Sequence, residues 1–189
     1  MTVKLVGSTS GSVSLQAPAS TSGGAHRVLT LPDADGTVAV GDTGKILQVV
    51  QTFKNDTTST TSTSFSDLSG MSATITPSST SNKVLVSFSL CLSCINQPLI
   101  HINLLRGSTN IAQPSTTPTN TSTIMLYIDA PKIMQTNYQF LDSPSTTSAT
   151  TYKLQWRNHN AGYTTKLNGY FDQANYYGTS TITLMEVAA

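Results

Sequence analysis

Few groups in this 189-residue sequence could do chemistry. Cys91 and Cys94 form a C-x-x-C, the spacing of a redox pair or of half a zinc site. No second C-x-x-C accompanies it, and His26, His101 and His159 are scattered without ligand spacing. In a strand, an odd spacing sends two side chains to opposite faces, where they cannot bond each other. Two buried free thiols are therefore expected. Carboxylates are scarce: eight Asp, and a single Glu at Glu186. Asp33 and Asp35 sit in a turn signal, and Asp56, Asp67, Asp129, Asp142 and Asp172 stand singly in or beside loops. A glycosidase needs two carboxylates held at a set separation, and nothing here suggests such a pair. The sequence has no G-x-S-x-G, no phosphate-cradling glycine loop and no H-E-x-x-H. Asp33-Ala34-Asp35-Gly36 starts like a calcium loop but lacks the later ligands and the bidentate Glu. The expectation is a protein that is not an enzyme, with no metal and no cofactor.

What remains for recognition is aromatic and amide side chains in loops. Trp156, Asn158, His159, Asn160 and Tyr163 flank one turn, and Tyr170, Phe171, Asn175, Tyr176 and Tyr177 the next. An aromatic ring packs on the apolar face of a pyranose while neighbouring amides satisfy its hydroxyls. Asn158, His159, Asn160, Tyr163, Asn175, Tyr176 and Tyr177 are therefore the candidate receptor-binding residues. The competing reading makes Trp156 and Tyr152 core residues by alternation, with Tyr176 and Tyr177 packing an interface. The loops Asn55–Ser64 and Pro114–Ser122 are the next candidates for a binding site.

Composition decides the class of fold that must hold these loops. Charged residues make up 10% of the chain, against a usual quarter, and the net charge is +1. Without a Lys/Arg cluster, no nucleic acid and no anionic membrane is expected as partner. No stretch approaches the roughly 20 apolar residues of a membrane-spanning helix, so no membrane insertion is expected. MTVKLVGSTSGS lacks the apolar core of a signal peptide, so synthesis in a cytoplasm without export by a general secretory route is expected. On that reading Asn55-Asp56-Thr57 and Asn120-Thr121-Ser122 match the glycosylation pattern by chance. Scarce Glu, Lys, Arg and Ala beside abundant Ser and Thr oppose helices and favour strands.

Two regions follow from the pattern. In residues 1–42, short β-prone pieces (Val3–Val6, Val13–Leu15, Leu29–Leu31 and Thr37–Val40) are separated by Gly, Ser and Pro, with a hairpin signal at Asp35-Gly36. Such pieces bury little surface alone and need neighbours. Gly41–Gly44 reads as a hinge. Residues 43–189 read as one all-β domain with strands over Ile46–Phe53, Met71–Thr76, Lys83–Cys94, Leu99–Arg106, Asn110–Gln113, Thr123–Asp129, Asn137–Leu141, Thr150–Arg157, Tyr163–Tyr170 and Thr179–Val187. Asn55–Ser64, Pro114–Ser122 and Asp142–Ala149 read as polar loops. Lys83–Cys94 alternates most cleanly, with Val84, Val86, Phe88, Leu90 and Leu92 on one face. Short strands at this spacing point to an antiparallel jelly-roll β-sandwich.

Three strands are apolar on both faces. Ile100, Ile102 and Leu104 oppose Leu99 and Leu105; Ile124, Leu126 and Ile128 oppose Met125 and Tyr127; Ile182 and Leu184 oppose Met185 and Val187. A sandwich strand with one face in water should not read so. Either another subunit or the chain's own loops cover the second face. A subunit interface through Leu99, His101, Met125, Tyr127, Met185 and Val187 is the favoured expectation.

Two stretches resemble structural proteins of tailed bacteriophages. Ser12–Gly41, SVSLQAPASTSGGAHRVLTLPDADGTVAVG, is similar to a segment of phage fibre and appendage proteins, with LTLPDADGT its most specific part. From Gly44-Lys45-Ile46-Leu47-Gln48-Val49-Val50-Gln51 to the C-terminus, the sequence resembles a C-terminal phage-fibre jelly roll, similar in layout to trimeric tumour-necrosis-factor and C1q-like heads. The motifs ATITPSS at 73–79, SNKVLV at 81–86, LRG at 105–107, YKLQ at 152–155 and STITLMEV at 180–187 carry that likeness. The resemblance implies a homotrimeric virion fibre protein. Residues 1–42 would join another virion protein (tail, baseplate or neck/head), and the head would meet a host surface glycan or protein. About forty residues before the head are short for a shaft, so the implied object is a short fibre or a mounted tip. The alternatives are an appendage or capsid decoration protein that binds no receptor and, more remotely, a glycan-processing tail spike.

Overall fold

The computed structural model describes residues 2–6, 12–16, 45–95, 99–115, 120–128, 132–170 and 175–189. The chain divides into two compact units, Met1–Val40 and Gly41–Ala189. In the first, β1 (Thr2–Val6) and β2 (Ser12–Gln16) form an antiparallel pair with Thr2 opposite Gln16 and Val6 opposite Ser12. Leu29–Leu31, the Asp35-Gly36 turn, Thr37–Val40 and the Gly41–Gly44 hinge lie outside the described residues.

The second unit is an antiparallel jelly-roll β-sandwich, and the described residues contain no helix. Its strands are β3 (Ile46–Lys54), β4 (Thr58–Thr60), β5 (Ser66–Ile75), β6 (Lys83–Ile95), β7 (Leu99–Arg106), β8 (Thr109–Ile111), β9 (Ile124–Tyr127), β10 (Ile133–Asp142), β11 (Thr150–Asn158), β12 (Thr164–Leu167) and β13 (Ser180–Val187). One sheet runs β3-β13-β6-β12-β4, with β10 along the other edge of β6. The second runs β5-β11-β7-β8, with β9 also on β7. Alternation explains the core. Val84, Val86, Phe88, Leu90 and Leu92 of β6 are buried with Ile182 and Leu184 of β13. They meet Ile100, Ile102 and Leu104 of β7 and Tyr152, Leu154 and Trp156 of β11 in the same cluster.

The thiols fall as their spacing implies: both are free and buried, with Cys94 in the core cluster and Cys91 outside it. Cys91 is sealed by Gly178, where a Cβ would collide with its sulfur. Burial pushes the Cys91 thiol pKa up.

Several boundaries differ from the sequence reading. Asn55–Ser64 is not all loop, because Thr58–Thr60 pairs with β12 through backbone groups that need no apolar side chain. β5 begins at Ser66, five residues before its apolar run, because its first residues pair with Gln155 and Trp156 across a register shift. Gly70, at φ 79°, supplies the left-handed residue inside that shift. β10 starts at Ile133, and β12 ends at Leu167 because Asn168 turns left-handed at φ 59°. Asn168 is fully buried and ties three strands together. Its amide donates to Lys54 O (2.9 Å) and Asp56 O (3.1 Å), its Oδ1 accepts from Ser180 Oγ (2.6 Å), and its backbone N–H donates to Cys91 O.

Deleting residues 1–42 should leave the second unit folded, with one cooperative thermal transition within a few degrees of the full chain. Calorimetry on the two proteins checks this, and loss of the transition would make the first unit part of the sandwich core.

Candidate binding cleft and assembly face

The turn after β11 does not present all of its amides. Asn158 is fully buried; its amide donates to Thr60 O (3.2 Å) and Tyr163 O (2.9 Å), and its Oδ1 accepts from Thr165 Oγ1 (2.6 Å). With every polar atom committed, it braces the turn and has nothing to offer a ligand. His159 and Tyr163 are half-buried, and Asn160 is exposed. On the next loop Asn175, Tyr176 and Tyr177 are exposed, and the Tyr176 ring meets Tyr170 edge-on at 6.3 Å. Trp156 and Tyr152 are core residues.

The six candidate interface residues lie on two opposite faces. Leu99, His101, Met125 and Tyr127 share the outer face of the second sheet, in the register Leu99–Tyr127 and His101–Met125. The chain itself covers much of that face. His101, Asn103 and Leu105 are buried, with Ser122 hydrogen-bonded to His101 and Gln113 to Asn103, while Met125 and Tyr127 remain about 60% exposed. For β7, then, the chain itself buries His101, Asn103 and Leu105, while Leu99 stays partly exposed.

Met185 and Val187 stand on the outer face of the first sheet, with Val187 opposite the exposed Lys83, while Gly178 covers the far end of that face at Cys91. On this face Val49, Met185, Leu85 and Leu141 line up across four strands. The rows behind are Gln51–Thr183–Ser87–Gln139 and Phe53–Thr181–Ser89–Asn137. None of these twelve side chains is charged, and Val49, Phe53 and Leu141 are each near half exposed. An uncharged surface with an apolar row is the composition of an interface core.

On the outer face of the second sheet, Phe65, Asn103, Asn110, Gln113, Asn120 and Arg157 border an open cleft of about 430 Å³. The Arg157 guanidinium lies over the Phe65 ring at 5.1 Å and donates to Asn120 Oδ1 (3.0 Å) and Thr63 O (3.3 Å). Gln113 donates to Asn103 Oδ1 at 3.1 Å. No carboxylate lines the cleft among the described residues; the nearby Asp67 is engaged by Lys153 and Gln155, both at 2.8 Å. The cleft uses the ends of both polar loops. No apolar pattern marks it, and only the fold brings residues 63–65, 103, 110, 113, 120, 121 and 157 together.

The sequence also hid a histidine pair, one ring buried and the other half-buried. His101 Nε2 lies 3.1 Å from His159 Nδ1, and its Nδ1 lies 3.2 Å from Ser122 Oγ. Ser122 and His101 have the types of a nucleophile and its base, yet both are enclosed, with no room for a substrate. Burial, with Arg157 and His159 alongside, pushes the His101 pKa from 6.5 down to about 4, so the ring is neutral. The arrangement locks a loop to the sheet. Among the described residues no group of three or more His, Cys, Asp or Glu could hold a metal ion, and no helix is long and apolar enough to cross a membrane.

No protein-family model and no curated protein sequence matches this chain. Among solved structures it is similar to a protein of the infectious bursal disease virus particle, at 13% identity and a TM-score of 0.44, covering 95% of this chain and 42% of that one. A mutant VP2 protein of that virus, from T=1 particles, aligns at 13% identity and a TM-score of 0.38, covering 94% and 43%. The chain thus spans less than half the length of either protein.

The His101 environment makes stability depend on pH. The folded ring resists protonation down to about pH 4, whereas an unfolded histidine takes a proton near 6.5. The contribution of the neutral ring is complete above pH 6.5 and is lost as pH falls towards 4, at most about 3 kcal/mol. Urea midpoints should therefore drop between about pH 7 and about pH 5, and His101→Gln should flatten that slope. A slope unchanged in the variant would remove His101 as its source.

Proposed function

We propose that this chain is the subunit of a homotrimeric virion fibre or short appendage. Residues 1–42 join it to another virion protein, and the sandwich is the head turned towards the host surface. The observation that carries the reading is the block of twelve uncharged side chains on the outer face of the β3-β13-β6-β10 sheet, bordered at one end by the exposed Lys83 opposite Val187. Its exposed Val49, Phe53 and Leu141, with Met185 between strands, would gain by burial against like faces. Three copies, rather than two, come from the resemblance to trimeric heads, and the LTLPDADGT segment ties the resemblance to phage appendages. Low charge and free buried thiols suit a particle component stabilised by shared apolar surface rather than by disulfides. Met125 and Tyr127, on the opposite sheet, would face outwards from such a trimer.

Light scattering of the full chain at micromolar concentration should give a trimer. Met185→Asp and Val49→Asp should each yield monomers, since an unpaired charge in a buried face costs about 3–5 kcal/mol in every copy. Met125→Asp should leave the trimer intact. A monomeric wild type, or dissociation by Met125→Asp alone, would overturn this reading.

A further inference from the structure

The cleft on the second sheet has a chemistry of its own. A guanidinium placed over an aromatic ring at 5.1 Å, with acceptors at Thr63 O and Asn120 Oδ1, is fixed in position before any ligand arrives. Each of its terminal nitrogens carries two hydrogens, and each gives one of them to these acceptors. Further donors are left for a planar anion, and no carboxylate among the lining residues competes for them. Around it Asn110, Gln113 and Asn120 offer amides, each both donor and acceptor, as a sugar hydroxyl is. Phe65 is the one large apolar side chain in the lining, and Arg157 already covers a face of it, so the cleft suits polar ligands. Its volume of about 430 Å³ fits one or two sugar rings. A single cation matches a singly charged carboxylate better than a phosphate dianion.

We infer that this cleft binds a carboxylate-bearing saccharide, with the carboxylate on Arg157 and ring hydroxyls on Asn110, Gln113 and Asn120. The inference rests on the host-facing reading only for the origin of the sugar, and binding is measured on the isolated full-length chain. The probes are a galacturonic acid trisaccharide and its methyl ester, which keeps shape and hydroxyls while removing the charge. Titrations followed by nuclear magnetic resonance should place the shifted amides at residues 63–65, 103, 110, 113, 120, 121 and 157. The acid should bind with a Kd on the order of 1 mM, and the ester about tenfold more weakly. Arg157→Gln should erase the difference between acid and ester. Asn110→Ala, at an exposed position, should weaken both without touching the fold. Equal binding of acid and ester by the wild-type chain overturns the inference, whether or not the Arg157 variant folds. So does the absence of shifts with the acid, or shifts confined to Asn160, Tyr176 and Tyr177. Because scattering reads assembly and these titrations read the cleft, failure of one reading leaves the other standing.

Discussion

β6 is the strand on which the sandwich depends, because it carries neighbours along both edges and the core on one face. β13 and β12 follow one another along one edge, and β10 runs along the other. Thirteen residues long, it is buried at every even position from Val84 to Cys94. A one-residue slip would send these apolar side chains to the outer face and bring its serines inward, so register is fixed by burial alone. The register of β6 in turn sets β13 and β10, and through β13 it sets β3. The apolar row Val49–Met185–Leu85–Leu141 is thus a consequence of core packing as much as a surface feature.

A chain so poor in charge satisfies its buried polar groups mostly with neutral partners. Glu186 shows how. It is buried, and burial alone would push its pKa up. Hydrogen bonds from Asn82, from Gln48, and from the side chain and backbone of Ser78 outweigh that and bring it down to about 2. These bonds sew the C-terminal strand to the turn before β6. Asn168 and Asn158 brace two other junctions in the same manner. Ion pairs do this work at the buried Lys54, which meets Asp56 at 2.7 Å, and at Asp142, where Arg106 (2.8 Å) and the buried Tyr152 hydroxyl (2.6 Å) share one carboxylate. No buried side-chain nitrogen or oxygen among the described residues lacks a partner.

The two outer faces of the sandwich suit different tasks. The β3-β13-β6-β10 face carries a block of uncharged side chains around the row Val49–Met185–Leu85–Leu141, the composition that favours self-association. The other face carries Arg157, Lys153 and Asp67 with a belt of amides, and polar loops close over it. Separate faces let a head assemble through one sheet and remain open to ligand on the other.

Alternation and turn chemistry made most of the strands, the all-β class and the Tyr152–Trp156 core legible in the sequence. These signals are local: a period of two needs only the residues of one strand. They also fixed the opposite facing of Cys91 and Cys94. The sequence was silent where strands form with few or no apolar side chains, as at Thr58–Thr60 and at Ser66–Gly70 with its lone Leu68, because backbone pairing there is dictated by the partner strand. Likewise, only packing decided that Asn158 is an internal brace, that His101 is covered by its own chain, and that Met125 and Met185 face opposite ways. The cleft is the clearest case, since Phe65, Asn110, Asn120 and Arg157 are ordinary surface residues until the fold brings distant loops together. Local pattern chose the elements, and tertiary contact chose which of their polar ends could meet a ligand.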